Sequence, residues 1–425
     1  MFNKPLVLQH FKVKGLNIVS FIARRIVFQK NQSFSRFIIR LSATATAISV
    51  AIMILALAFV AGFQETISNK VFSFWGHIRV QQQLPSVSGL AEELPSFKND
   101  TILKIFQTQK QIKSVDVFAT KSAMLKTTES IEGVLLKGVA SDFSKDRIAP
   151  YITSGTWLNF DTSANNYSIV VSTYTAKRLK LKPGDKAFLY FIESGGTLPR
   201  VRPVIVSGLY KTSIEEYDKT FALVDLRLIQ KINDWTDQQI AGYEITLTDY
   251  RNDEEVSNQL LDSIPTSWYS TTVREIYPNI FDWLNLQNTN RKIIIVIMCI
   301  VALMNLITCL LILVLERSRM IGLLKAVGAR DAQVQTIFWN QALIISFTGI
   351  VFGTVLGVGI CLLQQYTGFI SLDEASYYVA KAPVKLIWWQ VVLVDVLTFF
   401  ACFVFLFIPS LFVKKVNPVK ALRFE

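Results

Sequence analysis

Histidine occurs twice in the 425-residue chain, at His10 and His77. A serine–histidine–aspartate triad, or a zinc site built on imidazoles, needs such side chains to converge on one surface. His10 and His77 lie on opposite sides of a long apolar run, so no catalytic residue and no metal ligand is expected. The four cysteines, Cys299, Cys309, Cys361 and Cys402, all fall inside apolar runs. The long polar segment between the first two runs has none, so no disulfide framework staples it. Neither G-x-x-x-x-G-K-[ST] nor G-x-G-x-x-G occurs; the chain carries no phosphate loop and is expected to bind no cofactor itself.

The residues that remain point to docking and packing. Met320, Leu323, Leu324 and Val327 recur at i, i+3, i+4 and i+7, the spacing of one helical face, and Gly328 suits a helix stop. Such a short amphipathic helix needs a cover, either the membrane surface or the groove of a partner protein. Gly349, Gly353 and Gly357 recur every four residues, which lets a second helix approach closely. Asp395 is the one ionisable residue deep in an apolar run. It reads either as a functional group or as a hydrogen bond to a neighbouring helix.

These residues are positioned by apolar runs at 43–63, 293–315, 338–363 and 386–408, the last broken only by Asp395. Each is long enough to cross a hydrocarbon core of about 30 Å. Only 18% of the chain is charged, below the roughly 25% of soluble domains. The net charge of +12 invites a nucleic-acid reading until it is located. Residues 1–40, 316–335 and 409–425 together hold 16 basic and 3 acidic residues, whereas 65–292 holds 26 of each. This is the positive-inside asymmetry. It predicts both termini and the 316–335 loop in the cytoplasm, the long segment outside, and no nucleic-acid partner. A cleaved signal peptide is not expected, because the first apolar run begins some 40 residues in, later than a signal peptide's apolar region.

The expected organisation is therefore an α-helical integral membrane protein with four transmembrane helices. A large mixed α/β extracytoplasmic domain is inserted between the first and second. A basic amphipathic leader (1–40, helical from 17) precedes the first span (41–64). Within the outside segment, 77–82, 124–127, 134–139, 187–191, 201–209 and 243–247 read as strands. Segments 102–112, 173–181 and 253–264 read as helices, and the first span continues helical through 66–74. Lys182-Pro-Gly-Asp185 reads as a type II turn. Spans at 291–315, 336–363 and 386–408 follow, separated by the 316–335 loop and a short outer loop at 364–385, with a cytoplasmic tail at 409–425.

The string E-R-S-R-M-I-G-L-L-K-A-V-G-A-R at 316–330, the glycine-spaced third span and the ending N-P-V-K-A-L-R-F-E resemble the FtsX/MacB-type ABC transporter permeases. Within these, I-V-V-S-T-Y-T-A-K-R-L-K-L-K-P-G-D at 169–185, E-Y-D-K at 216–219 and F-D-W-L at 281–284 are most similar to the LolC/LolE lipoprotein-releasing transmembrane subunits. The resemblance covers nearly the whole chain. It implies a bacterial inner-membrane permease with its large domain in the periplasm, split into a porter-like part (65–145 and 205–290) and an inserted small domain (146–204).

The resemblance further implies that two permeases, copies or paralogues, assemble with a separate LolD-like ATPase that holds ATP and Mg. The helix at 316–328 would then be the coupling helix, and the cover left open above would be a protein groove. Glu316, Arg317, Arg319, Met320, Leu323, Leu324, Lys325 and Gly328 would meet the ATPase. Lipoprotein cargo would place its acyl chains between the first and second spans, with Met53, Phe59, Ile297 and Val301 as lining candidates; the alternatives to lipoprotein extraction are FtsX-like mechanical regulation of a periplasmic partner and MacB-like export of a small molecule or peptide. A periplasmic LolA-like chaperone is a further implied partner. The segment S-G-G-T-L-P-R at 194–200 departs from the long chaperone-gripping hook of LolC-like members and reads as a short hairpin.

Overall fold

The computed structural model describes residues 33–82, 95–160, 167–191 and 199–405. In chain order the helices are α1 (Ser33–Trp75), α2 (Asp100–Thr108), α3 (Thr173–Leu179), α4 (Glu215–Thr220), α5 (Leu226–Ile232) and α6 (Asp253–Ser263). There follow α7 (Val273–Ile276), α8 (Pro278–Glu316), α9 (Ser318–Ala326), α10 (Asp331–Thr367), α11 (Glu374–Tyr377) and α12 (Trp388–Phe405). The strands are β1 (Ile78–Gln82), β2 (Ser96–Phe97), β3 (Ile112–Lys126), β4 (Ile131–Val139), β5 (Ile152–Gly155) and β6 (Tyr167–Ser172). They continue with β7 (Lys186–Phe191), β8 (Arg200–Tyr210), β9 (Phe221–Asp225), β10 (Gln239–Ile240), β11 (Gly242–Leu247) and β12 (Trp268–Thr272). Two compact units result: Met1–Gly62 with Leu286–Phe369 and Pro383–Glu425, and Phe63–Asn285 with Ile370–Ala382.

Among the described residues, three helices are long and apolar enough to cross a membrane: Phe37–Trp75 within α1, Pro278–Glu316 and Asp331–Thr367. The fourth expected run forms a shorter apolar helix over Trp388–Val404, and its remainder from 406 lies outside the described residues. Of the basic leader, 33–40 are the first turns of α1; residues 1–32 and the tail at 409–425 lie outside the described residues. The apolar helices interlock through Ile38, Ile39, Leu306, Leu310, Leu313, Ala342 and Ile345, and separately through Val50, Met53, Ile54, Ile350, Val391 and Val394. Asn305 on α8 adds a polar tie, its Nδ2 donating to the Ser42 carbonyl at 3.0 Å.

The second unit is mixed α and β. Its main sheet has ten strands, in the order β12-β1-β11-β3-β4-β9-β6-β8-β5, with β7 against β3 and β8. Pairs β4–β9 and β6–β8 are parallel and the rest antiparallel. Residues Ile67, Val71 and Phe74 on the last turns of α1 recur at i, i+4, i+7 and are buried in this unit's core. Local chemistry sets the short helices. Asn99 accepts from the Thr101 amide at 2.9 Å to open α2, and Ser172 from the Thr175 amide at 3.0 Å to open α3, each satisfying a donor that the first helical turn leaves free. After α3 the Lys182–Asp185 turn closes with Gly184 at φ +98 and the Asp185 amide donating to the Lys182 carbonyl at 3.1 Å.

The expected helix over 102–112 is instead α2, ending at Thr108, because Ile112 already opens the 15-residue strand β3. The polar residues Lys113, Asp116 and Lys121 on β3 masked its period of two. Strands β2, β5, β6, β9, β10 and β12 fall outside the expected set. Every residue of β6 and β9 is buried, and a short run buried on both faces shows no alternation to read. Residues 194–198 of the expected short hairpin lie outside the described residues; β7 ends at Phe191 and β8 starts at Arg200.

Candidate functional site

The segment at 316–328, expected as a coupling helix, forms α9, set off from α8 by a break at Arg317 (φ −96, ψ 15). Its end is a Schellman arrangement: the Ala329 amide donates to the Leu324 carbonyl at 2.9 Å and the Gly328 amide to the Lys325 carbonyl at 3.1 Å. Gly328 sits at φ +99, where a side chain would be strained. The apolar stripe divides into two rows. Ile321 is buried with Val314, Val334 and Phe338, and Met320 and Leu324 pack beside them. Leu323 and Val327 point away from that cluster and are 57% and 83% exposed. Glu316 and Arg319 are exposed as well, while Lys325 pairs with Asp331 at 3.0 Å. The exposed row therefore combines two apolar side chains with charges of both signs.

Gly349, Gly353 and Gly357 line one face of α10 against α1. A Cβ on Gly349 would lie 2.9 Å from Thr46 Cβ, one on Gly353 2.5 Å from the Ala47 carbonyl oxygen, and one on Gly357 3.1 Å from Ala51 Cα. On α1 the glycines meet Ala43, Ala47 and Ala51, four apart, flanked by the β-branched Thr46 and Val50, so the two helices run parallel in near backbone contact. Gly359, off that face, has open space.

Asp395 on α12 accepts a 2.7 Å hydrogen bond from the Thr354 hydroxyl on α10. The pair sits at a groove of about 430 Å³ whose other walls include Phe347, Val351, Val355 and Phe399. The cavity-lining candidates separate. Ile297 and Val301 on α8 are exposed, Phe59 is half-buried, and Met53 is buried among Val50, Ile350 and Val391. Met53 therefore contributes to packing of the chain's own helices rather than to an open wall.

Unanticipated from the sequence is a buried cluster of charges where α1 ends in the second unit. Lys137, fully buried on β4, lies 2.6 Å from Glu244 on β11 and donates to the Phe74 carbonyl. Its ammonium also lies 4.2 Å from the centre of the Trp75 ring. Arg147 pairs with Asp116 at 2.8 Å and donates to the Phe72 carbonyl at 3.1 Å. Two cations thus meet the last carbonyls of a 43-residue helix, the end that carries partial negative charge. Burial pushes the Lys137 ammonium down to about 8 against the pull of Glu244. The signal available in the sequence was a lone lysine within V-L-L-K-G-V and a lone glutamate within Y-E-I-T-L.

His77 is buried beside this cluster, its Nδ1 accepting from the Leu247 amide at 2.7 Å. Burial above all, then Arg147 and Arg274, push the imidazole from its ordinary 6.5 down to about 3. The unfolded chain therefore takes up a proton before the folded one as pH falls. The contribution to stability is complete above pH 6.5 and is lost progressively toward pH 3, roughly 5 kcal/mol in all. Thermal unfolding of the full chain between pH 7 and 4 is expected to show this slope, and His77→Asn to flatten it. An unchanged slope in the variant would assign the acid sensitivity to other groups.

Two family models match the chain. The MacB-like periplasmic core domain covers residues 41–263, more than half of it, and the FtsX-like permease C-terminal covers 292–418. The lipoprotein-releasing system transmembrane protein LolC of Neisseria meningitidis serogroup B is 24% identical over 93% of this chain and 96% of its own length. LolE of Haemophilus influenzae is 23% identical over 86% and 89%. The periplasmic region of MacB from Actinobacillus actinomycetemcomitans aligns with 49% of this chain and 95% of its own at 13% identity, with a TM-score of 0.34. The first model joins the end of α1 to the sheet unit, and the second spans the helices that carry α9 and the glycine face; the chain belongs to the MacB-like periplasmic core family, joined to an FtsX-like permease C-terminal region.

Proposed function

We propose that the chain is the permease subunit of an ABC transporter that extracts lipoproteins from the bacterial inner membrane for transfer toward the outer membrane. The observation that carries this reading is that relatives named as lipoprotein-releasing transmembrane proteins align with nearly the whole chain and nearly their whole length. The exposed Leu323–Val327 row of α9 supports a role as the docking element for a separate ATPase, which holds ATP and Mg. In this reading α12 and the residues after it complete a fourth span. Both termini and α9 lie in the cytoplasm, and the sheet unit lies in the periplasm. A second permease, copy or paralogue, completes the assembly, and acyl chains meet the exposed Ile297 and Val301 face of α8. Closure of the ATPase pair moves α8 and α1, both of which continue from the membrane helices into the sheet unit.

The test is complementation of a strain depleted of this protein. The wild-type chain is expected to return lipoproteins to the outer membrane. Leu323→Asp is expected to insert at normal levels yet leave them in the inner membrane, with coupled ATP hydrolysis reduced at least tenfold. Leu323 suits this test better than Leu324, whose half-buried side chain also supports α9 itself. Correct lipoprotein location after depletion would overturn the proposal.

A further inference from the structure

The loop between α10 and α12 is built as a closed hairpin. The Leu372 amide donates to the Ala380 carbonyl at 2.9 Å and the Ala382 amide to the Ile370 carbonyl at 3.0 Å. Asp373 caps α11 by accepting from the Ser376 amide at 3.1 Å. Although the hairpin links two membrane helices in sequence, residues Ile370–Ala382 belong to the sheet unit. Three separate elements of that unit hold it. From α1, Lys70 donates to the Tyr378 carbonyl at 2.7 Å. From the end of β8, Lys211 forms an ion pair with Glu374. From α8, Trp283 meets the Tyr378 ring edge-on, with ring centres 6.2 Å apart. Val379 is buried in the sheet unit's core beneath these contacts.

We infer that the 370–382 hairpin is a strap that ties α10 and α12 to the periplasmic unit, with Lys70, Lys211 and Glu374 as positioning residues for the transport cycle. The proposal rests on the transporter reading above. Its argument is connectivity. The helix ends at Thr367 and Trp388 are bridged by a segment folded into the other unit, so displacement of that unit pulls on both helices. The grip is polar where it faces solvent. Lys211 and Glu374 are each more than a third exposed, and such a pair is weak enough to be broken and remade by charge substitution. Val379, buried in the core, is its apolar anchor.

The test uses the full transporter with Lys211→Glu, Glu374→Lys and the combined swap. Hydrogen exchange at 370–382 is expected to quicken about tenfold in each single variant and to return in the swap. ATP hydrolysis is expected to stay within about twofold of wild type in all three. Lipoprotein release per ATP is expected to fall at least fivefold in the single variants and to recover in the swap. Unchanged exchange in the single variants would overturn the strap. So would normal release despite quickened exchange, or release that stays low in the swap after protection returns. A wild-type complex that releases no lipoprotein retires the transport reading, and the strap is then judged on exchange alone.

Discussion

Lys137→Met is expected to destabilise the periplasmic unit by roughly 3 kcal/mol or more, because removing one partner of a buried ion pair strands the other. Glu244 is left in the sheet interior with Arg147 no nearer than 3.9 Å, and the Phe74 carbonyl loses its cation at the end of α1. Replacing both partners, with Lys137→Met and Glu244→Leu, removes the stranded charge and is expected to recover most of the loss. Arg147 retains Asp116 in that variant, so it is not stranded in turn. The measurement is thermal unfolding of the purified chain, with protease resistance of the sheet unit as a second readout. A double variant no more stable than the single one would show that the ion pair is not the source of the loss.

Gly353→Leu is expected to prevent the seam between α1 and α10 from closing. The new Cβ would stand 2.5 Å from the Ala47 carbonyl oxygen and 2.8 Å from Val50 Cβ. Both obstacles are backbone or the stiff root of a β-branched side chain, so neither can swing aside. Overpacking typically costs about 1–3 kcal/mol where neighbours can yield; with a backbone obstacle the expected cost lies at or above the top of that range. The helices must separate, and packing between small residues is what holds such pairs together in lipid. Gly359→Leu, which meets open space, is the control and is expected to leave yield and thermal midpoint unchanged. Equal yields and midpoints for the two variants would remove the seam from the account.

The membrane half of the fold was legible because its signals are long and one-dimensional. Apolar runs need no knowledge of partners, and the glycine spacing of 349, 353 and 357 marks the face of α10 that meets α1. In the sheet unit, strands such as β4 and β11 were legible from β-branched residues bounded by turns. Strands β6 and β9 were not, because burial on both faces erases alternation. The apolar stripe of α9 was legible as a stripe, but periodicity could not tell the row held by Val334 and Phe338 from the row left free, since the two are adjacent on the helix. Met53 was misjudged for the same reason: depth along a helix can be read from sequence, and the direction a side chain faces cannot. The charge cluster at the end of α1 joins residues far apart in the chain, and no local pattern announces it.

The close contacts along the α1–α10 seam repeat every four residues on both helices. Four residues correspond to about 6 Å along a helix axis. A slide by one whole repeat would again set small residues opposite small residues for two of the three glycines. A slide by half a repeat would drive Thr46 and Val50 into the opposing backbone. The seam therefore behaves as a detent: it resists small creep, and its next permitted position is one full helical step away.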